Sequence, residues 1–464
     1  MLINELRQRL FDLDATITHH ESIVQDLKQQ RADVLSQLAF VVYPVLTLPT
    51  EITTEIFKWC YEAGLRLRPS VAPLLLTRVC RDWRELALST PALWDTIDEI
   101  KFDDPLEDED FVSKWFSRAG TRPLSFGIIY PEHLESHHLE SVIHRHASQL
   151  QWLDVMTHLD ILSDFGAIQS FPILRDLSLC SMSPHELIES QIEVFCHAPS
   201  LRHLSLECLP PSVLNLPWAQ LTKTTLSFVS LTECLYFLRL ATSLREFRRE
   251  GPPEGEEDES VFGQSPLSHS SLNSLAVSTS SGDEGILQLL TVPGLKTLEL
   301  GGRWTIYTDL DIVLVPFLSR TCATLRTLKI PLPTRLPVHW FQLLTHLTTL
   351  ELVHPVGLAF STGAIRALDR RSAPDFLPKL HTLVLSQCGS NRIDSSLLQV
   401  LGSRCDVSDA ERARLESFSL IWPELESPDD SVVRLPLLNV GPLRALAARG
   451  MCIHVGTRSQ NNFY

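Results

Sequence analysis

The chain is short of positive charge, of clustered cysteines and of long apolar runs, and each shortage removes a class of function. Against 56 acidic residues stand 40 basic ones, a net charge of −16. That balance repels phosphate backbones and anionic lipid, and it argues against a nucleic-acid or membrane-surface binder. The 10 cysteines are scattered without a close pair, so the spacing suggests neither a zinc knuckle nor a disulfide framework, and reduced thiols in the cytoplasm or nucleus fit best. The longest apolar run, Leu38 to Pro49, is broken by Pro44 and falls short of the roughly 20 residues a membrane span needs. Glu5, Arg7 and Arg9 occupy the stretch where a signal peptide would carry its apolar core. A cytoplasmic or nuclear protein without membrane contact is expected.

Motifs of catalysis are missing as well. No glycine-rich phosphate loop, nucleophile elbow or kinase-type motif occurs, and Gly301-Gly302 is explained by a tight turn after a strand. His133, His137, His138, His144 and His146 lie among Glu132, Glu135 and Glu140 on a predicted helix. His133 and His137 have an i, i+4 spacing that could chelate a metal, but the order of a zinc hydrolase is absent and solvated helix-face histidines are the favoured reading. No enzyme activity, cofactor or metal is expected.

Leucine is abundant, at 80 of 464 residues. Residues 1–40 lack glycine and proline, and positions 6, 10, 13, 17, 20, 24, 27, 31, 34 and 38 alternate spacings of four and three. Eight of these ten are apolar, with His20 and Arg31 as interruptions, which predicts a helix with one coiled-coil-like seam. Self-association through residues 1–38 is one use of that seam. Packing on the helix's own chain, or an antiparallel hairpin, is the favoured one.

Residues 47–97 read as a small helical module. Pro49 and Thr50 start a helix that places Ile52, Ile56 and Phe57 on one face. After a break at Gly64 and Pro69, Leu76, Val79, Cys80, Trp83 and Ala87 recur at helical spacing, and Pro91 to Trp94 ends the run with a second tryptophan. Ile56, Val79, Cys80, Trp83 and Trp94 would serve as core in such a module whether or not it binds anything. About 50 residues hide only ~60% of their surface, so the module is expected to lean on a partner or neighbour.

The opening Leu48-Pro49-Thr50-Glu51-Ile52-Thr53-Thr54-Glu55-Ile56-Phe57, the core Val79-Cys80-Arg81-Asp82-Trp83-Arg84 and the end Pro91-Ala92-Leu93-Trp94 together resemble an F-box domain. With a helical seam before it and leucine-rich sequence after it, the whole resembles the expanded F-box families of mushroom-forming fungi. The resemblance covers about 50 residues. It implies docking on the Skp-type adaptor of a cullin-RING ubiquitin ligase, and through it on the cullin. Leu48 and Pro49 would enter an apolar groove, with Ile52, Ile56, Val79 and Trp83 supporting the contact.

Residues 98–120 read as an acidic linker and a first helix. Eight acids between Asp98 and Asp110 suggest a solvated loop. From residue 121 to 458 the chain repeats a unit of the form Leu-x-x-Leu-x-Leu, with copies starting at Leu150, Leu174, Leu201, Leu221, Leu244, Leu272, Leu295, Leu325, Leu347, Leu380 and Leu415. The starts are 20 to 35 residues apart, a period that means a solenoid of short strands with returning helices. A strand's period of two turns both leucines of each pair inward. It turns Ser178, Ser205, Thr297, Glu299, Thr327, Lys329, Thr349, Glu351, Thr382 and Ser419 outward.

An earlier copy is expected at Thr121, Leu124 and Phe126. Return helices are expected at Pro184 to Cys196 and Val315 to Cys322, and Leu443 to Val455 reads as helix, glycine stop and closing strand. Gly251 to Ser260, with five acids, reads as a disordered loop. The repeat is similar to the leucine-rich repeats that follow many F-boxes, but its lengths are irregular, and the expected asparagine or cysteine appears only as Cys388.

The expected fold class is therefore α/β: an N-terminal helix and a small all-α F-box-like module, then an irregular leucine-rich-repeat solenoid. The expected function is substrate recognition for an SCF-type ubiquitin ligase, with an unidentified protein target held by the repeat. The alternative is a scaffold or oligomeric interaction protein whose F-box-like helices are internal structure.

Overall fold

The computed structural model describes residues 2–39, 48–60, 70–102, 105–132, 134–165, 170–182, 191–251, 265–278, 285–301, 310–331, 338–353, 365–372, 375–386, 395–405, 413–422 and 441–458. His133, most of the acidic segment 251–260, residues 184–190 of the first return helix, Gly302 and Cys388 lie outside them. The chain divides into two compact units, the first ending at Leu93 and the second resuming at Trp94.

The first unit is all helix. Its long helix α1 (Leu2–Ala39) is followed by α2 (Thr50–Trp59), α3 (Leu76–Val79), α4 (Arg81–Leu88) and a single 3-10 turn, Pro91–Leu93. Pro49 sits just ahead of α2, and its carbonyl accepts from the backbone N–H of Thr53 at 3.1 Å and from the Thr53 hydroxyl at 3.2 Å. Cys80 is extended between α3 and α4, and its sulfur accepts from the Trp83 backbone N–H at 3.5 Å, capping α4. Phe57, Leu76, Ala87 and Leu93 form the core. Every described side chain of α1 is exposed, so the seam does not pack on the described residues of its own chain.

The second unit is built on one parallel sheet of 14 strands that follow one another in chain order. The first seven are β1 (Thr96–Lys101), β2 (Leu124–Ile129), β3 (Leu150–Thr157), β4 (Asp176–Ser181), β5 (His203–Glu207), β6 (Lys223–Ser227) and β7 (Glu246–Glu250). They continue as β8 (Ser274–Ser278), β9 (Thr297–Gly301), β10 (Thr327–Pro331), β11 (Thr349–Val353), β12 (Thr382–Ser386), β13 (Ser417–Ile421) and β14 (Cys452–Gly456). Parallel neighbours need a crossover between them. Here it is a helix or turn, as in Leu231–Leu240, Leu310–Thr321 and Ser395–Cys405.

All eleven leucine units contain a strand, and the register aligns their leucines: Leu177 with Leu204, and Leu298 with Leu328, Leu350, Leu383 and then Phe418. These side chains are at most 3% exposed. The early copy is β2, and the closing unit is the helix Gly441–Ala448, a left-handed Gly450 (φ +89°) and β14. Residues 191–196, the described end of the first expected return helix, form turns and a bridge instead, with Ile192 paired to Leu214.

Two readings of this part of the chain change. Asp98 and Glu99 belong to strand β1, and Glu107 to Asp110 lie in a helix, α5 (Pro105–Ser117). Glu109 accepts from Ser141 at 3.0 Å and Arg145 at 2.8 Å, on α6 (Ser136–His146), tying the two helices together. Trp94, expected to close the helical module, is fully buried against Trp115 of α5 with ring centroids 4.7 Å apart. Gly127 of β2 is required where β1 bulges, because a Cβ there would run into the carbonyl of Asp98.

Charged and polar groups also enter the core. Arg404 is fully buried on Ser395–Cys405 and donates to the carbonyls of Leu368 (2.7 Å), Phe376 (2.8 Å) and Leu377 (3.3 Å). Burial, followed by the nearby Arg370, pulls its pKa down to about 10. Thr224 takes an inward position of β6 between Leu204 and Phe247, and its buried hydroxyl has no partner among the described residues. Thr224→Val is expected to stabilise the second unit by about 1 kcal/mol, by removing an unpaired hydroxyl at constant shape. Arg404→Met is expected to cost about 3 kcal/mol, because it orphans three carbonyls. Denaturant unfolding of the two variants beside the wild type checks both signs.

Candidate functional site

Two surfaces stand out, one on each unit. On the first unit, α2 divides its side chains by helical spacing: Thr53 and Phe57 turn inward, while Ile52, Ile56 and Trp59 form an exposed stripe at i, i+4 and i+7. Ile52 is 50% and Trp59 86% exposed. Leu48, Pro49 and Val79 are exposed as well. Trp83 is half-buried, edge-on to Phe57 at 4.9 Å, and its indole N–H has no hydrogen-bond partner among the described residues.

Of the six residues singled out from sequence, five therefore lie at the surface and Trp83 bridges surface and core. Ile56 and Val79, which would serve as core in a self-contained module, do not do so here. Phe57 and Leu76 fill that space instead. Trp59 and Leu75 are exposed apolar residues that the sequence reading missed. The signal for Trp59 was present, three residues beyond Ile56 on the same helix face.

On the second unit, the open face of the sheet carries two polar rows fixed by strand register. All ten predicted outward residues alternate with buried neighbours and are half-exposed. One row runs Ser274, Thr297, Thr327, Thr349, Thr382 and Ser417. The adjacent row is charged: Arg248, Ala276, Glu299, Lys329 and Glu351. Ala276 leaves room for Arg248 to reach across it to Glu299 at 2.9 Å, while Lys329 holds the same carboxylate at 2.6 Å from the other side. Glu351 accepts from Ser386 and from Arg458, each at 2.8 Å. Arg248 and Arg458 were missed, since neither occupies the middle of a leucine pair with leucines on both sides.

Electrostatics differ along this face. Burial raises the Glu299 pKa, but the hydrogen bond and charge of Lys329, with Arg248, outweigh it and hold the carboxyl below its usual range. On β3, burial pushes Asp154 up, against a hydrogen bond from Ser178 and aided by Glu99. Cys180 of β4 is pushed up to about 12 by burial and by Glu207 and Cys208, so it is a thiol rather than a nucleophilic thiolate at neutral pH.

The histidine helix holds no metal constellation among the described residues. His137 faces Glu135 at 3.1 Å and His138 faces Glu109 at 3.7 Å. His146 lies edge-on to Phe116 at 5.1 Å, and burial with the charge of Arg145 lowers its pKa to about 4. Among the described residues, no helix is long and apolar enough to cross a membrane.

No protein-family profile matches the chain, and no curated protein matches it. Among solved structures it is similar to a protein from Bacteroides fragilis at 12% identity, over 63% of this chain and 68% of that one, with a TM-score of 0.29.

The two carboxylates of the sheet face should respond to pH with opposite signs of effect. Glu299, held low, stabilises the fold above its unfolded pKa and loses that contribution as pH falls through its folded pKa. Asp154, held high, carries a penalty that appears as pH rises above its unfolded pKa. At neutral pH Glu299→Gln is expected to lower the thermal midpoint and Asp154→Asn to raise it. The Asp154 difference should close toward about pH 3, below the ordinary carboxyl range, and the Glu299 difference only as pH falls through its lowered folded pKa. Thermal melts of the two variants across that range check the prediction.

Proposed function

We propose that this chain is a substrate-recognition subunit of an SCF-type cullin-RING ubiquitin ligase. In this reading the helical unit acts as an F-box that binds a Skp-type adaptor, and the parallel sheet acts as a leucine-rich-repeat platform for a protein target. The observation that carries the reading is the division of labour on the helical unit. Leu48, Pro49, Ile52, Ile56 and Val79, the residues the F-box resemblance assigns to the adaptor, are at the surface, while Phe57, Leu76, Ala87 and Leu93 make the core without them. Exposed isoleucine, valine and tryptophan side chains on a small unit are costly in water, and a partner that covers them removes that cost.

Such a subunit needs no catalytic group. A target held on the sheet face is kept at high local concentration beside a ubiquitin carrier docked elsewhere on the ligase, and proximity supplies the acceleration. The polar rows suit this role, because threonine hydroxyls and bridged charges discriminate between targets through hydrogen bonds rather than through bulk apolar area. Cytoplasm or nucleus, where such ligases work, also suits ten cysteines spaced without a close pair.

Full-length protein mixed with a Skp-type adaptor is expected to form a complex that survives gel filtration. Ile52→Asp is expected to weaken it at least tenfold, with circular dichroism and melting unchanged, because Ile52 is exposed and contributes little to the core. A wild-type chain that fails to bind the adaptor, while another F-box protein binds it in the same assay, overturns the reading in favour of a scaffold whose helices are purely structural.

A further inference from the structure

Helix α1 presents a problem that the ligase reading does not touch. Its 38 residues span about 57 Å at the usual rise, and the seam leucines Leu6, Leu13 and Leu27 are more than half exposed. A helix that is polar all round can stand alone in solvent, but one with an apolar edge broken only at His20 and Arg31 requires a covering surface. We propose that the cover is a second copy of this chain, and that the two α1 helices pair as a parallel, in-register, two-stranded coiled coil.

Length and composition of the seam come first. Of the eleven heptad positions from Ile3 to Leu38, nine are apolar, and five heptads exceed the three or four over which such a pattern is diagnostic. The two kinds of position are also filled differently. The a positions hold Ile3, Leu10, Ile17, Val24, Arg31 and Leu38, and the d positions Leu6, Leu13, His20, Leu27 and Val34. Three of the five apolar a residues are therefore β-branched, and three of the four apolar d residues are leucine. β-branched residues at a with leucine at d favour two strands in parallel over three or four.

Flanking charges select the direction. In a parallel pair each g position meets the partner's following e position. Arg9 then faces the partner's Asp14, and the pairs that follow (Thr16 with Glu21, Ile23 with Lys28, Gln30 with Leu35) contain no like charges. In an antiparallel pair e meets e along one flank, and the register that sets Asp14 against the partner's Glu21 also sets Arg7 against the partner's Lys28, each like-charge contact being made twice.

Arg31, at an a position, fixes the alignment. In register it meets its own copy near the C-terminal end of the seam, where its long side chain can reach solvent. A slip of one heptad sets each arginine against the partner's Val24 or Leu38 and removes an apolar layer. A polar group at a single a position is the usual register device of a coiled coil, bought with some stability.

Sedimentation of the full-length chain at micromolar concentration tests the proposal. A dimer is expected, and Leu13→Asp with Leu27→Asp is expected to give a monomer whose sheet unit melts as in the wild type. Direction is read from Asp14→Arg. It should weaken the dimer about tenfold, since two flanking attractions become repulsions, and adding Arg9→Asp should restore it. A wild-type monomer or trimer overturns the proposal, as does a dimer that survives the seam variants. A dimer strengthened by Asp14→Arg overturns the parallel arrangement, because that result is expected only when Asp14 faces the partner's Glu21. None of these outcomes depends on whether an adaptor binds.

Discussion

The second unit depends on one constraint, the in-register parallel pairing of identical inward positions from strand to strand. Leu298, Leu328, Leu350, Leu383, Phe418 and Ile453 lie one behind another, each at most 2% exposed. A one-residue slip in any pair would turn that row outward and bring threonine and glutamate into the core. Register is therefore fixed by burial, and the open face inherits its order from the buried one. The threonine row and the bridged charges of Arg248, Glu299 and Lys329 are aligned because the leucines beneath them are.

The same dependence explains which parts of the fold were legible in the sequence. A leucine pair with one residue between announces both the strand and the direction of each side chain, so eleven strands and ten outward residues could be read from the letters alone. β1 could not, because Ile97 and Ile100 are separated by Asp98 and Glu99 at a bulge that breaks the alternation. Glu109 of α5 looked solvated because its partners, Ser141 and Arg145, lie more than thirty residues away. Arg404 is illegible for a stronger form of the same reason: its three carbonyl partners come from a loop 27 to 36 residues earlier in the chain, and nothing local distinguishes it from a surface arginine.

On the helical unit, periodicity located the face of α2 but not its sense. Ile52, Ile56 and Phe57 fall within one turn of one another, and which of them is buried is decided by the placement of α3 and α4. The structure gives the interior to Phe57, through its edge contact with Trp83, and leaves both isoleucines outside. Apolar residues at helical spacing are more often core than contact. Here the unit is too small to enclose all of them, so the excess becomes surface.

Apolar surface and polar surface are thus divided between the two units, and the division has a physical consequence. An exposed seam or stripe of isoleucine and leucine gains free energy from almost any apolar cover, so its selectivity must come from flanking charges and shape, as Arg9 and Asp14 illustrate on α1. The sheet face starts from the opposite position. Its charged groups already pair with one another, as Arg248, Glu299 and Lys329 do, and a ligand must replace such bonds to gain anything. Such a face binds weakly to poor matches and well only to good ones. In the proposed reading, association through the helices and discrimination through the sheet would be tuned independently, because the residues named for the one differ from those named for the other.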